Sequence, residues 1–167
     1  MDGGCDLYGL DVSGEALKRL SERRPDLAAR LVCDDVRSFS CERSFDYLVA
    51  IQVFQHGAEA DAARYFERAA ALLRSGGLFF LRVNSAATRV YHRHTVVERN
   101  ESGGFTVRYE DGPKRGLLVH FYSQDELLER TEAQFATLIA PREDVIGRVP
   151  PETGSWAQWE AVWRKRE

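Results

Sequence analysis

Two carboxylates stand where a short apolar run gives way to a turn. Asp11 follows Leu7-Tyr8-Gly9-Leu10, and Asp35 follows the run from Ala29 to Cys33. An acidic side chain at the C-terminal end of a strand in a parallel sheet can accept hydrogen bonds from both hydroxyls of a ribose. A second carboxylate after the next strand suits an exocyclic amine of adenine, and the backbone N–H of the apolar Val36 behind it can reach a ring nitrogen. Each acid also has a plainer alternative. Asp11 fits as a charge at a helix N-terminus, favoured by the helix dipole, and Asp35 as a solvated loop acid. A nicotinamide-dependent oxidoreductase would share Asp11 but not the carboxylate after the next strand.

The histidines and cysteines form a second group. His92-Arg93-His94 would put two imidazoles on one face of a strand, as a metal site needs. Only His120 follows them and no carboxylate spacing completes a set, so no metal is expected and the segment is assigned to the surface or a pocket wall. Cys5, Cys33 and Cys41 are an odd number with no C-x-x-C pair. They suit a reducing cytosol better than a disulfide framework or a zinc site, and are expected to be buried or neutral thiols. Tyr91, Phe105, Tyr109, Phe121 and Tyr122 are candidates for a substrate lid, or for the packing of a ribbon on its domain.

The elements that must position these groups follow from the apolar pattern. Leu7 to Leu10 reads as a strand, and Ala16, Leu17 and Leu20 repeat at helical spacing behind Ser13, a candidate N-cap, with Pro25 closing the helix. Phe45 to Val53 is nearly continuous in apolar residues, the pattern of a strand buried on both faces. Ala60 to Leu73 reads as a helix capped by Ser75-Gly76-Gly77, and Leu78 to Val83 as another buried strand. This alternation predicts a doubly wound α/β sheet with ligands at the C-terminal ends of its strands. From 86 to 122 the turns at Glu101-Ser102-Gly103-Gly104 and Asp111-Gly112-Pro113 predict an antiparallel insertion. Ser123-Gln124-Asp125-Glu126 has the form of a capping box opening a helix. Phe135 to Ile139 and Trp156 to Trp163 are strand candidates, with a helix an open alternative for the second.

The chain has 167 residues, 44% hydrophobic and 29% charged, with 23 Lys plus Arg against 26 Asp plus Glu. That balance predicts one globular domain over 1–167, and a net charge of -3 gives no basic field for a row of phosphates, so nucleic-acid binding is disfavoured. The start lacks a signal peptide's pattern and no run approaches the ~18 apolar residues of a membrane span. A cytoplasmic protein acting on small molecules is expected.

The series YGLDVSGEAL, LVCDDVRSF, FDYLVAIQVFQH and YFERAAALLRSGGLFFLRV resembles, in order and spacing, the middle of a class I S-adenosylmethionine-dependent methyltransferase. The resemblance covers Leu7 to about Val83 closely and the remainder loosely. It implies a Rossmann-like doubly wound sheet in the order three, two, one, four, five, seven, six. Asp11 would bind the cofactor ribose, Val12 would pack on adenine, and Asp35 and Val36 would bind its edge. Ile51 and Gln52 would face the methionine end after the fourth strand. The implied reaction is in-line attack of a small-molecule acceptor on the sulfonium methyl, in which positioning supplies much of the rate. His56, near the expected mouth, is the candidate base for an acceptor that must lose a proton, with a structural or capping role as the alternative. The family's first strand and glycine-rich loop have no counterpart before Gly3, and Gly3-Gly4 cannot stand in for them. The expectation is therefore an N-terminally truncated sheet, short by about 40 residues on typical element lengths, with weak or absent cofactor binding. The rival expectation is a non-catalytic binding or interaction module that pairs an open sheet edge with another chain, as in a homo-oligomer.

Overall fold

Ser13 starts the first helix as its position predicts. In the computed structural model, which describes residues 4–167, its hydroxyl accepts the Ala16 N–H at 3.2 Å at the head of α1, Gly14–Arg23. Gly3 of the Gly3-Gly4 pair lies outside the described residues. The chain divides into two compact units, one reaching to Cys41 and the other Glu42–Glu167. In the first, β1 (Gly9–Asp11) and β2 (Leu31–Cys33) pair in parallel, Gly9 opposite Leu31 and Asp11 opposite Cys33. A 3-10 turn, Pro25–Arg30, joins α1 to β2 and carries the buried Leu27. Pro25 cannot continue the α-helical ladder, so the chain tightens there and turns back.

The second unit contains β3 (Phe45–Ile51), α2 (Glu59–Leu72), β4 (Leu73–Asn84), β5 (His94–Arg99), β6 (Phe105–Tyr109), β7 (Leu118–Phe121), α3 (Gln124–Glu132), β8 (Phe135–Gly147) and β9 (Ser155–Lys165). One sheet runs β3-β4-β9-β8, with β3 and β4 parallel and the other pairs antiparallel. This is the order four, five, seven, six that the resemblance implies. A second sheet, β5-β6-β7, is antiparallel, as the turns between 86 and 122 predict. Among the described residues, no helix is long and apolar enough to cross a membrane.

The core of this unit is aromatic. Phe79 on β4 lies 5.6 Å from Phe54, 6.1 Å from Phe66 of α2, 5.7 Å from Phe135 and 5.7 Å from Trp163, ring centre to ring centre. The buried stripe of α2, Ala62, Phe66, Ala69 and Ala70, recurs at steps of three and four. Each fully buried aromatic of this kind contributes about 1.5–3 kcal/mol of apolar transfer.

One open alternative is resolved, and three details differ from expectation. The Trp156 to Trp163 run is β9: Trp159 and Trp163 face Val83 and Phe79 on the covered side, and Trp156 falls on the opposite parity. The three-and-four spacing of the tryptophans therefore imitates a helix that is not there. Ser75-Gly76-Gly77 does not cap α2, which ends at Leu72 with the Leu73 N–H bonded to the Ala69 carbonyl. The glycines sit within β4 at an irregularity of its pairing with β3, where a Cβ on Gly77 would meet the carbonyl oxygens of Arg74 at 2.9 Å and Phe45 at 3.1 Å. The strand β3 is not buried on both faces: Tyr47 (64%), Val49 (63%) and Ile51 (55%) are exposed along one of them, and β3 is the edge of its sheet. Finally, Cys5, Cys33 and Cys41 are exposed and in no disulfide, so of the two expectations, buried or neutral, the buried one does not hold.

Candidate functional site

Asp11 ends β1, exposed. Its Oδ1 accepts the N–H of Ser13 at 2.8 Å, an Asx turn that fixes the carboxylate at the strand end. A carboxylate offers about four acceptor positions, so one local bond leaves capacity for two hydroxyls. Beside it the apolar Val12 side chain is 70% exposed.

The parallel neighbour β2 delivers the second acid. Asp35 lies in the turn after it, and its carboxylate is gripped by Arg37: Nε stands 2.9 Å from Oδ1, Nη2 bonds Oδ2, and the Arg37 N–H donates to Oδ1 at 2.9 Å. That hydrogen-bonded guanidinium holds the Asp35 carboxyl below the usual carboxylate range. An adenine amine would share Asp35 with Arg37. The neighbouring Val36 N–H has no hydrogen-bond partner among the described residues, so it is a donor available to a ring nitrogen.

In the second unit the chain leaves β3 through a strained residue. Gln52, directly after Ile51, has φ 62°, in the left-handed region that side chains other than glycine and asparagine seldom adopt. Its N–H donates to the Arg82 carbonyl at 2.9 Å. A relay of amides then fixes its side chain. The Asn84 N–H donates to Gln55 Oε1 at 2.8 Å, so Gln55 presents Nε2 to Gln52 Oε1 at 2.6 Å. That leaves Gln52 Nε2 buried and without an acceptor.

His56 is exposed and follows the buried Phe54 and Gln55. Its backbone is tied down by a bridge to Val119 and by the Tyr65 hydroxyl, which donates to its carbonyl at 2.6 Å. Its ring is partly desolvated and feels the Lys114 ammonium; together these hold the imidazole pKa below its ordinary 6.5, against a hydrogen bond from the ring to the Gln52 carbonyl. One ring nitrogen therefore donates and the other keeps its lone pair, as a proton acceptor at neutral pH requires.

Sequence reasoning missed a buried polar cluster in this unit. His120 on β7 presents Nε2 to both carboxylate oxygens of Glu126 at 3.0 Å and Nδ1 to the Thr106 hydroxyl at 2.9 Å. Arg130 adds Nε at 2.7 Å and Nη2 at 2.6 Å to the same carboxylate. Because His120, Glu126 and Thr106 are all buried, the cluster joins β6, β7 and α3 and does not face a ligand. The signal for it was one histidine in the otherwise apolar Leu118-Val119-His120-Phe121. His92 and His94 lie apart from it: His92 Nδ1 is 3.4 Å from Asp111, and His94 Nδ1 is 2.8 Å from the His92 carbonyl. Among the described residues no three His, Cys, Asp or Glu side chains gather as a metal-ligand set.

Residues 1–77 match the family model described as a methyltransferase domain. No curated protein matches the chain. Among solved structures, PH0226 from Pyrococcus horikoshii OT3 superposes with a TM-score of 0.70 at 16% identity, over 99% of this chain and 74% of that one. The 1,6-didemethyltoxoflavin-N1-methyltransferase of Burkholderia thailandensis, solved with its substrate and S-adenosylhomocysteine, gives 0.61 at 19% identity over 95% of this chain and 60% of its own. NodS, an N-methyltransferase of Bradyrhizobium japonicum WM9 solved with S-adenosylhomocysteine, gives 0.60 at 13% identity over 95% and 65%.

Proposed function

We propose that this chain, whose fold is that of the class I methyltransferases and whose residues 1–77 match a methyltransferase domain, binds S-adenosylmethionine and carries out methyl transfer to a small-molecule acceptor. The observation that carries the reading is the pairing of Asp11, anchored by Ser13 at the end of β1, with the uncovered Val12 beside it. A carboxylate for hydroxyls next to an apolar surface for a flat base is the donor and acceptor set of a nucleoside. The Val36 N–H and the Asp35 carboxylate, in the same unit, fit the same group. When bound, the cofactor supplies a methyl group on a positively charged sulfur.

In this reading Asp11 accepts the ribose hydroxyls, Val12 packs on adenine, and Asp35 and Val36 address the adenine edge. Ile51 and Gln52 serve the methionine end. His56, neutral because of its surroundings, takes a proton from the acceptor at the ring nitrogen that Gln52 leaves free. Three cysteines, an odd number with no C-x-x-C pair, favour a reducing, cytoplasmic setting. In a second reading the chain is a non-catalytic module; the open edge at β3 and the exposed Tyr47, Val49 and Ile51 favour pairing with another copy.

Equilibrium dialysis with radiolabelled S-adenosylmethionine separates the two. Each charge-assisted hydrogen bond lost from a ligand weakens binding by about 10–100-fold. Saturable binding by the wild-type chain that drops by that factor in Asp11→Ala supports the first reading; absence of binding at millimolar ligand favours the second.

A further inference from the structure

Gln52 leaves β3 in a conformation that a side chain disfavours, four residues before His56. At φ 62° a residue other than glycine is disfavoured by roughly 5–30-fold against its ordinary conformations. Strain of this kind persists only where the surroundings hold it. Two sets of bonds do so here. The Gln52 N–H donates to the Arg82 carbonyl at 2.9 Å, which carries the attachment to β4 one residue past Ile51. On the side-chain side, the buried Gln55 accepts the Asn84 N–H at 2.8 Å and donates Nε2 to Gln52 Oε1 at 2.6 Å. This amide pair does not satisfy Gln52, whose own Nε2 stays buried without an acceptor. What it secures is the place of the residue.

Beyond Gln52 the turn is anchored residue by residue. The Tyr122 hydroxyl donates to the Phe54 carbonyl, the His120 N–H to that of Gln55 at 2.8 Å, and the Tyr65 hydroxyl to that of His56 at 2.6 Å. The Gly57 N–H then donates to the Leu118 carbonyl at 3.0 Å. With the His56 main chain fixed, its ring is set by the acceptor in front of it, the Gln52 carbonyl. A carbonyl can only accept, so the ring nitrogen that faces it carries the proton and the other keeps its lone pair. Where that carbonyl points depends on the Gln52 dihedrals, and relaxation of φ to the ordinary negative range would swing it away.

We infer that Gln55 is a positioning residue for His56: by gripping the Gln52 side chain it keeps Gln52 left-handed, the Gln52 carbonyl on the imidazole, and His56 in one tautomer. That the remaining lone pair takes a proton during methyl transfer rests on the function proposed above; the tautomer does not.

Nitrogen-15 NMR of the histidine rings in the full 167-residue chain, without cofactor and at a pH well above 6.5, reads the tautomer directly. Protonated and unprotonated ring nitrogens resonate far apart, and exchange averages them. In the wild type one His56 tautomer is expected to exceed the other by at least about 10-fold, the scale of one hydrogen bond. Gln55→Met is close in shape but cannot donate, and Gln52→Met keeps the side-chain penalty while losing the grip; each should lower that ratio at least about 5-fold. Gln52→Gly loses the same amide but adopts positive φ without strain, and should keep the wild-type ratio. An amide that served only for stability would make the two Gln52 variants alike. Gln52 is half-buried, so this comparison does not depend on Gln55→Met folding. Averaged ring nitrogens in the wild type, a wild-type ratio in folded Gln52→Met, or its loss in Gln52→Gly overturns the inference. S-adenosylmethionine dialysis is run alongside. If the wild type binds no cofactor while the tautomer ratios behave as expected, methyl transfer falls and the positioning stands; if it binds cofactor while the two Gln52 variants behave alike, the positioning alone falls.

Discussion

Replacing His56 by glutamine is expected to lower kcat by about 10²–10⁴ for an acceptor that must lose a proton, with little change in S-adenosylmethionine binding. Glutamine keeps a polar group of similar reach, so the backbone bridge to Val119 and the bond from Tyr65 survive while the proton-accepting lone pair is lost. S-adenosylhomocysteine release with a small-molecule acceptor that must lose a proton measures it. The pH profile adds a second readout. Desolvation and the Lys114 charge hold the His56 pKa below 6.5, so the neutral, active form persists below that pH. The acid limb of the rate should therefore be centred below 6.5, where the imidazole gains its proton. A limb centred above 6.5, or an unchanged kcat in His56→Gln, would assign His56 to the structural role.

Glu126→Leu is expected to destabilise the protein by about 3–5 kcal/mol, the usual result of removing one partner from a buried charged pair. At roughly 2–4 °C per kcal/mol for a chain of this size, Tm should drop by roughly 6–20 °C. The substitution strips His120 Nε2 of its acceptor inside the core and takes from Arg130 the carboxylate at 2.6 Å. The sign of the pH dependence follows from the ionisation of Glu126. Burial by itself would raise its pKa, but hydrogen bonds from His120 and Asn100 and the charges of His120 and Arg130 outweigh burial, so the folded value lies below the ordinary 4.5. The stabilisation is therefore complete above 4.5 and lost as pH falls through the folded value. Thermal melts of the wild type between pH 3 and 7 should show this acid loss, and Glu126→Gln, which cannot ionise, should flatten it. A melting temperature unchanged in Glu126→Leu would show that α3 is not held to β6 and β7 by this cluster.

Much of the frame was legible because apolar periodicity survives without long-range knowledge. The N-cap at Ser13, the stripe of α2 and the antiparallel turns between 86 and 122 all follow from neighbours within a few residues. Asp11 could be placed for the same reason, since a strand end and a cap are local. The relay from Asn84 through Gln55 to Gln52 was not legible: its bonds span up to 29 residues and depend on which strands lie side by side. The exposure of Tyr47, Val49 and Ile51 was hidden too, because an apolar run looks the same whether it is central or at a sheet edge. His120 was weighed only as a metal ligand, while the Glu126 that pairs with it was visible only as part of a capping motif.

The central claim is that the strand ends around Asp11 and Val36 seat the nucleoside of S-adenosylmethionine. Amide NMR of the 15N-labelled chain titrated with S-adenosylhomocysteine tests it most directly. The account predicts saturable shifts centred on Val12, Ser13 and Val36, the last moving as its free N–H gains an acceptor, and their loss in Asp11→Ala. No shifts at these amides at millimolar ligand, or the same shifts in Asp11→Ala, would contradict it.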